Sequence, residues 1–241
     1  MKILITNDDG IDSPTLPPMV ETLSREHEVF VVVPGSNQSG LSQAFTFYKS
    51  LTYHPRPEFN HHTYQVDGTP CDCVKFAVCQ LFKDSLPDCI ISGINVGENA
   101  GLCVIYSGTV AAAREGTMWG IPSLAISIWK NDPSHINYSV NWLNEFLKRK
   151  EQWIHHPLLN INFPSCRPDE IQGTEISSMS LTMFRDDYKE FTTPRGTQEY
   201  WLGGYKPKEE FQPDTDDADL LSKKITILQK TKIVYKTKNT H

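Results

Sequence analysis

Met1-Lys2-Ile3-Leu4-Ile5-Thr6-Asn7-Asp8-Asp9-Gly10 opens the chain, and its reading decides the fold. Lys2 to Thr6 is a short β-branched run, which reads as a strand, and Asn-Asp-Asp-Gly stops it in a turn. Working outward, a helical segment is expected next, with Ser13 as N-cap before Pro14 and with Met19, Val20 and Leu23 on one face. Glu28 to Val33 reads as a second strand closed by Pro34-Gly35, and Ser36-Asn37-Gln38-Ser39-Gly40 as a polar loop. Leu51 to His54 and Thr63 to Val66 resemble a pair of edge strands, and Cys71 to Phe82 has helical spacing through Val74, Val78 and Leu81. Cys89-Ile90-Ile91 is a further strand running into a loop from Ser92 to Gly101. Thr109 to Trp119 is an alanine-rich helix, Ser123 to Ile128 a strand, Tyr138 to Lys150 an amphipathic helix and Leu158 to Phe163 a strand.

Strand–loop–helix alternation over residues 1–164 predicts an α/β fold: a mainly parallel sheet with helices on both faces. The remainder changes character. Phe184 to Tyr205 mixes aromatics, charges and Gly/Pro without helical period and predicts a long C-terminal β-hairpin. Lys206 to Asp219 reads as a mobile charged loop, and Ile225 to Tyr235 as a final strand or pair of strands. The chain is taken as a single domain over 1–241, with a core at 1–164 and an elaboration at 165–241.

With 241 residues the chain is long enough to bury a sizeable core. Its net charge of −6 argues against a partner that is a nucleic-acid polymer, whose phosphates call for a basic surface. The first apolar run is too short for a signal-peptide core and is broken by two acids. No stretch approaches the roughly 20 apolar residues that span a bilayer. The six cysteines sit mostly among apolar or helix-patterned residues, the usage expected of buried, reduced thiols in a cytoplasmic protein.

In an open α/β sheet, ligands bind beyond the carboxyl ends of the strands. Three polar, glycine-bearing loops should therefore converge on one rim: Asn7 to Gly10, Ser36 to Gly40 and Ser92 to Gly101. Asp8 and Asp9 are the chemical signal. Two unit charges ~4 Å apart repel by about 4 kcal/mol at an effective dielectric of 20, so one carboxyl takes up a proton or a cation sits between them. A hard divalent ion such as Mg²⁺ or Mn²⁺ suits oxygen ligands; the plainer alternative is an ordinary Asp-Gly turn. Asn95 offers a neutral ligating oxygen, and the Ser36–Gly40 loop offers hydroxyl and amide oxygens or simply a solvated turn. Tyr106-Ser107-Gly108-Thr109 opens the alanine helix, and hydroxyls and N–H groups there can cradle a phosphate or merely cap the helix. There is neither a dinucleotide fingerprint nor a P-loop.

These stretches together resemble the SurE family of 5′/3′-nucleotidases. The resemblance lies in Ile3 to Ile11 (ILITNDDGI), Asn37 to Gly40 (NQSG), Gly68-Thr69-Pro70 with Asp72-Cys73-Val74, Ser92 to Gly97 (SGINVG), Ile105 to Ala113 (IYSGTVAAA) and Leu159 to Pro164 (LNINFP). It implies a Rossmann-like core and one divalent cation per subunit, held by Asp8, Asp9, Ser39 and Asn95. It also implies nucleoside monophosphate substrates, a cytoplasmic location, no membrane partner, and a homodimer or homotetramer in which the hairpin and C-terminal segment take part. Two stretches depart from the family. Asp12-Ser13-Pro14-Thr15 replaces the usual pattern ending in Pro-Gly, and Gln38 stands where a basic residue is common.

The expected activity is metal-dependent hydrolysis of nucleoside 5′-monophosphates, extending to 3′-monophosphates. Asp8 and Asp9 are the catalytic carboxylates, either of which orients the water or takes its proton, and Asn37, Ser107, Gly108 and Thr109 hold the phosphate. Two alternatives stay open at this point: Asp8 as a covalent nucleophile, and a non-catalytic nucleotide or sugar-phosphate sensor.

Overall fold

The computed structural model describes residues 1–59 and 62–229. Its first half follows the chain in order: β1 (Lys2–Thr6), α1 (Leu16–Leu23), β2 (Glu28–Pro34), β3 (Tyr53–Pro55), β4 (Thr63–Val66), α2 (Pro70–Phe76), β5 (Cys89–Val96) and α3 (Cys103–Tyr106). The second half contains α4 (Gly108–Met118), β6 (Ser123–Ile128), α5 (Pro133–Lys148), β7 (Leu158–Asn162), β8 (Thr174–Ile176), β9 (Arg185–Thr192), β10 (Gln198–Tyr205), α6 (Asp216–Leu221) and β11 (Ile225–Leu228). A nine-stranded sheet runs in the order β3-β4-β2-β1-β5-β6-β7-β11-β8, while β9 and β10 form a separate two-stranded sheet. Only the β3–β4 and β7–β11 pairs of the large sheet are antiparallel. The α/β class, the mainly parallel sheet and the hairpin are as the sequence predicts.

β1 lies between β2 and β5, with Ile3 opposite Val29 and Cys89, and Leu4 opposite Phe30 and Ile90. Because side chains alternate along a strand, Ile3 and Ile5 face one layer and Leu4 the other. The first layer packs Met19 and Leu23 of α1 and Val140 and Leu143 of α5. Leu4 joins Val32 and Ile90 against Cys73 and Val74 of α2 and Ala112 of α4. Helices thus cover both faces. The chain runs outward from β1 through β2, then returns to lay β5 on the other side of β1. That reversal puts the topological switch point between β1 and β5, where a ligand crevice opens in such sheets.

Several local expectations are corrected. Helix α1 begins at Leu16, after Thr15, not after Ser13; the Ser13 hydroxyl meets Thr15 Oγ1 at 3.0 Å instead of capping. The segment from Ser92 to Val96, expected as loop, continues β5. Between Ser92 and Asn95 the pairing with β6 slips, Ser92 facing Ala125 and Asn95 facing Ser127, so one extra residue bulges out. Gly93 makes the bulge: its φ is +126°, and a Cβ there would fall 2.3 Å from Ile126 O. Helix α5 starts at Pro133, five residues before the expected Tyr138, because Asp132 caps it through Ser134 N at 2.9 Å and proline fits the first turn.

The Lys206–Asp219 segment, expected as a mobile loop, contains part of α6 and is tied to the core. Asp216 accepts from Gly101 N at 2.6 Å and Ser180 N at 2.8 Å, and buried Lys206 pairs with buried Asp217 at 2.7 Å. The final-strand expectation is met by β11 from Ile225 to Leu228; residues 230–235 of that reading lie outside the described residues. β8 beside β11 was not anticipated. All six cysteines are free; Cys71, Cys73 and Cys89 are buried as expected, whereas Cys79 is exposed and Cys103 and Cys166 half-buried. Among the described residues no helix is long and apolar enough to cross a membrane.

Candidate active site

β1 ends by delivering Asp8 and Asp9 to the switch point. The turn that presents them is clamped by Asn7, whose Nδ2 donates to Gly10 O and whose Oδ1 accepts from Gly10 N, both at 2.9 Å. Gly10 holds a φ of +92°, which a side chain would resist. The two acids therefore leave the strand on a fixed turn.

Their surroundings differ. Asp8 is buried, and its Oδ1 accepts from Thr109 Oγ1 at 2.7 Å across the crevice. Gly108 lies against it so closely that a Cβ would sit 3.0 Å from Asp8 Cβ and 3.1 Å from Oδ2. Asp9 is half-buried; its Oδ1 accepts from Asn37 Nδ2 at 3.3 Å and its Oδ2 from Ser13 Oγ at 3.5 Å. Burial raises the pKa of Asp8, and the bond from Thr109 opposes the shift. Burial, reinforced by the charge on Asp8 and opposed by Ser13, pushes Asp9 up to about 6. Two neighbouring carboxyls are thus both driven toward the protonated form, chiefly by burial; a bound cation would offset that cost by stabilising the charged form.

The loop after β2 reaches the same place. Gln38 N donates to Asp8 O at 2.7 Å, and Ser39 N to Asn37 Oδ1 at 3.0 Å. Behind Ser39, the chain is held by Ser42, which donates through N to Tyr106 O and through Oγ to Ile105 O. From β5, Asn95 Nδ2 is committed to Gly97 O at 2.6 Å, so its oxygen is the atom left for a ligand. Among the described residues, neither the Ser39 hydroxyl nor the Asn95 amide bonds a carboxylate.

Two hydroxyls lie between β5 and the acids. Thr15 Oγ1 gives its proton to Ile94 O at 2.6 Å, one residue before Asn95, and Ser13 Oγ has one proton to give either to Thr15 Oγ1 at 3.0 Å or to Asp9 Oδ2 at 3.5 Å. Sequence reasoning read Ser13 as a cap and Thr15 as a departure from pattern. The pairing of hydroxyls two residues apart in an acid-flanked turn was the available signal.

At the start of α4, Ser107 Oγ accepts from Val110 N at 3.1 Å and caps the helix, which leaves its proton for donation. Gly108 N–H, in the first turn, has no intrahelical acceptor. Thr109 donates its hydroxyl proton to Asp8 Oδ1, while its backbone N–H, like that of Gly108, lies in the first turn without an intrahelical acceptor. The donor set around the acids is oxygen throughout, and among the described residues no three His, Cys, Asp or Glu side chains gather as a metal cluster. Hard, oxygen-preferring divalent cations fit such a set.

Fold and rim together define an α/β protein whose switch point carries a pair of adjacent acids, one buried and one half-buried, beside a helix N-terminus. The chain belongs to the SurE family: the family described as "Survival protein SurE" matches residues 3–186. A 5′-nucleotidase SurE from Methylobacillus flagellatus is 38% identical over 229 residues, covering 94% of this chain and 91% of that protein. One from Vibrio cholerae is 37% identical over 221 residues, covering 90% and 85%. The crystal structure of the SurE protein from Aquifex aeolicus superposes with a TM-score of 0.80 at 28% identity, covering 95% of this chain and 94% of that one.

Proposed function

We propose that the protein hydrolyses nucleoside 5′-monophosphates, and 3′-monophosphates as secondary substrates, using one divalent cation per subunit, Mg²⁺ or Mn²⁺. Asp8, Asp9, Ser39 and Asn95 hold the ion. The observation that carries the reading is the acidic pair itself: both carboxyls are pushed toward protonation by burial, at a rim that also presents a helix N-terminus. The 5′-nucleotidase names of the relatives support the substrate class.

A divalent cation supplies charge neutralisation and Lewis-acid polarisation to a dianionic ester. The chain supplies the remainder. Ser107 Oγ–H and Gly108 N–H donate to the phosphate, aided by the positive end of α4. Thr109 fixes Asp8, and Asn37 fixes Asp9. Asp9, the more open of the two, orients the attacking water and takes its proton at Oδ2; as the water oxygen bonds to phosphorus the P–O bond to the ribose breaks, and the ribose oxygen leaves as a hydroxyl after taking a proton from solvent.

Assembly as a homodimer or homotetramer is supported by the hairpin, on which Tyr188, Phe191, Tyr200, Trp201, Leu202 and Tyr205 are all exposed. The free thiols suit a cytoplasmic location. The test is phosphate release from a panel of 5′- and 3′-nucleoside monophosphates, with EDTA and with each metal restored. Asp8→Asn should lower turnover about 10²–10³-fold, the range for loss of one electrostatic contact, while leaving the fold intact by circular dichroism. Turnover that survives both EDTA and Asp8→Asn would refute the assignment. Tight nucleotide binding without turnover in the metal-loaded protein would instead establish a sensor.

A further inference from the structure

The segment after Gly40 runs from α3 past α4 to α2 and is pinned on both sides of Gln43. Before it, Ser42 donates through N to Tyr106 O at 3.0 Å and through Oγ to Ile105 O at 2.7 Å. After it, Ala44 O accepts from Thr69 Oγ1 at 2.7 Å, and Thr46 donates to Asp72 through N at 2.9 Å and through Oγ1 at 2.7 Å. That path sets Gln43 against Arg114 of α4, whose Nη1 donates to Gln43 Oε1 at 3.1 Å. Arginine can only donate, so the contact fixes the amide with its oxygen toward the guanidinium. The other end of that amide, Gln43 Nε2, is buried and has no hydrogen-bond partner among the described residues.

Arg114 is short of a partner too. It is half-buried and forms no ion pair among the described residues. The acids around it are committed elsewhere: Glu115 Oε1 accepts from Lys75 Nζ at 2.7 Å and from Trp119 Nε1 at 3.1 Å, and Asp72 accepts from Thr46 and Thr69. Burial lowers the pKa of Arg114, and the group that opposes this is Cys71. That thiol is itself pushed up to about 12, chiefly by burial, and so stays neutral. A guanidinium drawn partly out of water without an acid costs free energy, and a buried donor without an acceptor adds to the cost. One kind of group removes both deficits: an acceptor that carries negative charge.

We propose that Arg114 and Gln43 form a second anion site, apart from the acidic rim, which takes a tetrahedral oxyanion: phosphate, either free or as the phosphoryl group of a monoester. The guanidinium is a planar fork of N–H donors that matches the paired oxygens of such a group. Gln43 occupies one of those donors and adds its own Nε2 from the same contact. Arg114 is half-buried, which leaves the ligand an approach from solvent. At about 1.5 Å of rise per residue, it lies about 9 Å along α4 from Gly108, so one phosphate cannot serve both positions. The pinned segment presents Gln43 in place before any anion arrives, and a site on supported side chains selects its ligand better than a loose one. The site does not depend on the nucleotidase reading.

The test is thermal melting and calorimetric titration of the metal-free protein with inorganic phosphate, against sodium chloride at equal ionic strength. Phosphate at about 10 mM should raise the wild-type melting temperature by about 2–4 °C, and chloride should not. Arg114→Met should weaken phosphate binding about tenfold or more, and Gln43→Leu severalfold. Without anion, Arg114→Met should melt no lower than wild type, because it removes the unpaired charge, and any margin it holds should close or reverse in phosphate. A merely structural arginine would show no such dependence on the anion. Asp8→Asn should keep the phosphate shift. AMP titrated into Asp8→Asn, with and without Arg114→Met, separates the two sources. Arg114-dependent binding tighter than that of phosphate assigns a monoester, and binding no tighter assigns the free anion. The proposal is overturned if the wild type shows no phosphate shift. It is equally overturned if the shift survives Arg114→Met and is lost in Asp8→Asn, which would place the anion at the acidic rim.

Discussion

Gly108→Ala should weaken the site without unfolding the protein. The added methyl would lie 3.0 Å from Asp8 Cβ, 3.1 Å from Asp8 Oδ2 and 3.3 Å from Pro70 Cγ, where ordinary contact begins at 3.4 Å. About 0.4 Å must be found, and Pro70 blocks a second direction. Asp8 cannot simply retreat, because Thr109 Oγ1 holds its Oδ1 at 2.7 Å, and a hydrogen bond to a charged group is worth about 1.5–3 kcal/mol. A 1 Å misplacement at a reacting centre costs about 10²-fold, so roughly a tenfold loss follows from displacement alone and about a hundredfold if the Thr109 bond is also strained. Stability moves little, since alanine gains up to about 1 kcal/mol over glycine in a helix and the contact strain offsets it. The melting temperature should stay within about 4 °C of wild type. The assay pairs phosphate release from AMP with calorimetric titration of Mn²⁺, which should bind more weakly. Wild-type kcat/KM together with wild-type Mn²⁺ affinity would refute the close packing of Gly108 on Asp8 as a functional constraint.

Thr15→Val removes the 2.6 Å donor to Ile94 O and should cost about 1–3 kcal/mol, seen as a melting point about 2–12 °C lower; Thr15→Ser should retain wild-type behaviour. Lys206→Ala strands Asp217 in the interior and should cost about 3–5 kcal/mol by urea unfolding, much of which the double change with Asp217→Leu should restore. In metal-free protein, the Asp9 carboxyl is raised from 3.8 to about 6, so the native state binds the extra proton between those values and stability should fall as pH rises through them. Because Asp9 is only half-buried, solvent screening keeps the loss well below the ~3 kcal/mol of a fully buried group, and added Mn²⁺ should abolish the fall, as read by thermal melts from pH 4 to 7.

What could be read from the chain was whatever local chemistry records. β1 was legible because an apolar run broken by Asn-Asp-Asp-Gly has one reading in an α/β chain, and the acids followed because they stand at its end. The hairpin was legible from its lack of helical period, and the rim from the rule that loops after parallel strands converge. The start of α5 was written locally too, in Asp132-Pro133, but the amphipathic period drew the boundary to Tyr138.

The remaining features depend on partners far away in sequence. Ser92 to Val96 looks like loop because Gly93 punctuates it; only the pairing with β6 makes it strand, and the bulge there sets where Asn95 stands. Lys206 and Asp216 read as solvated charge because their partners, Ala100 and Gly101, are 106 and 115 residues distant, and Asp217 with them because its partner is Lys206. Their burial changes the role of the C-terminal segment. Asp216 grips Gly101 N and Lys206 grips Ala100 O, so the residues just beyond Asn95 are held from the hairpin side, while Thr15 holds Ile94 from the other. The end of β5 is therefore braced on both flanks. Bracing β5 in this way fixes Asn95, while Asn7 separately clamps the turn that carries Asp8 and Asp9 at the end of β1, so on the proposed reading the oxygen set is held in place before any cation arrives.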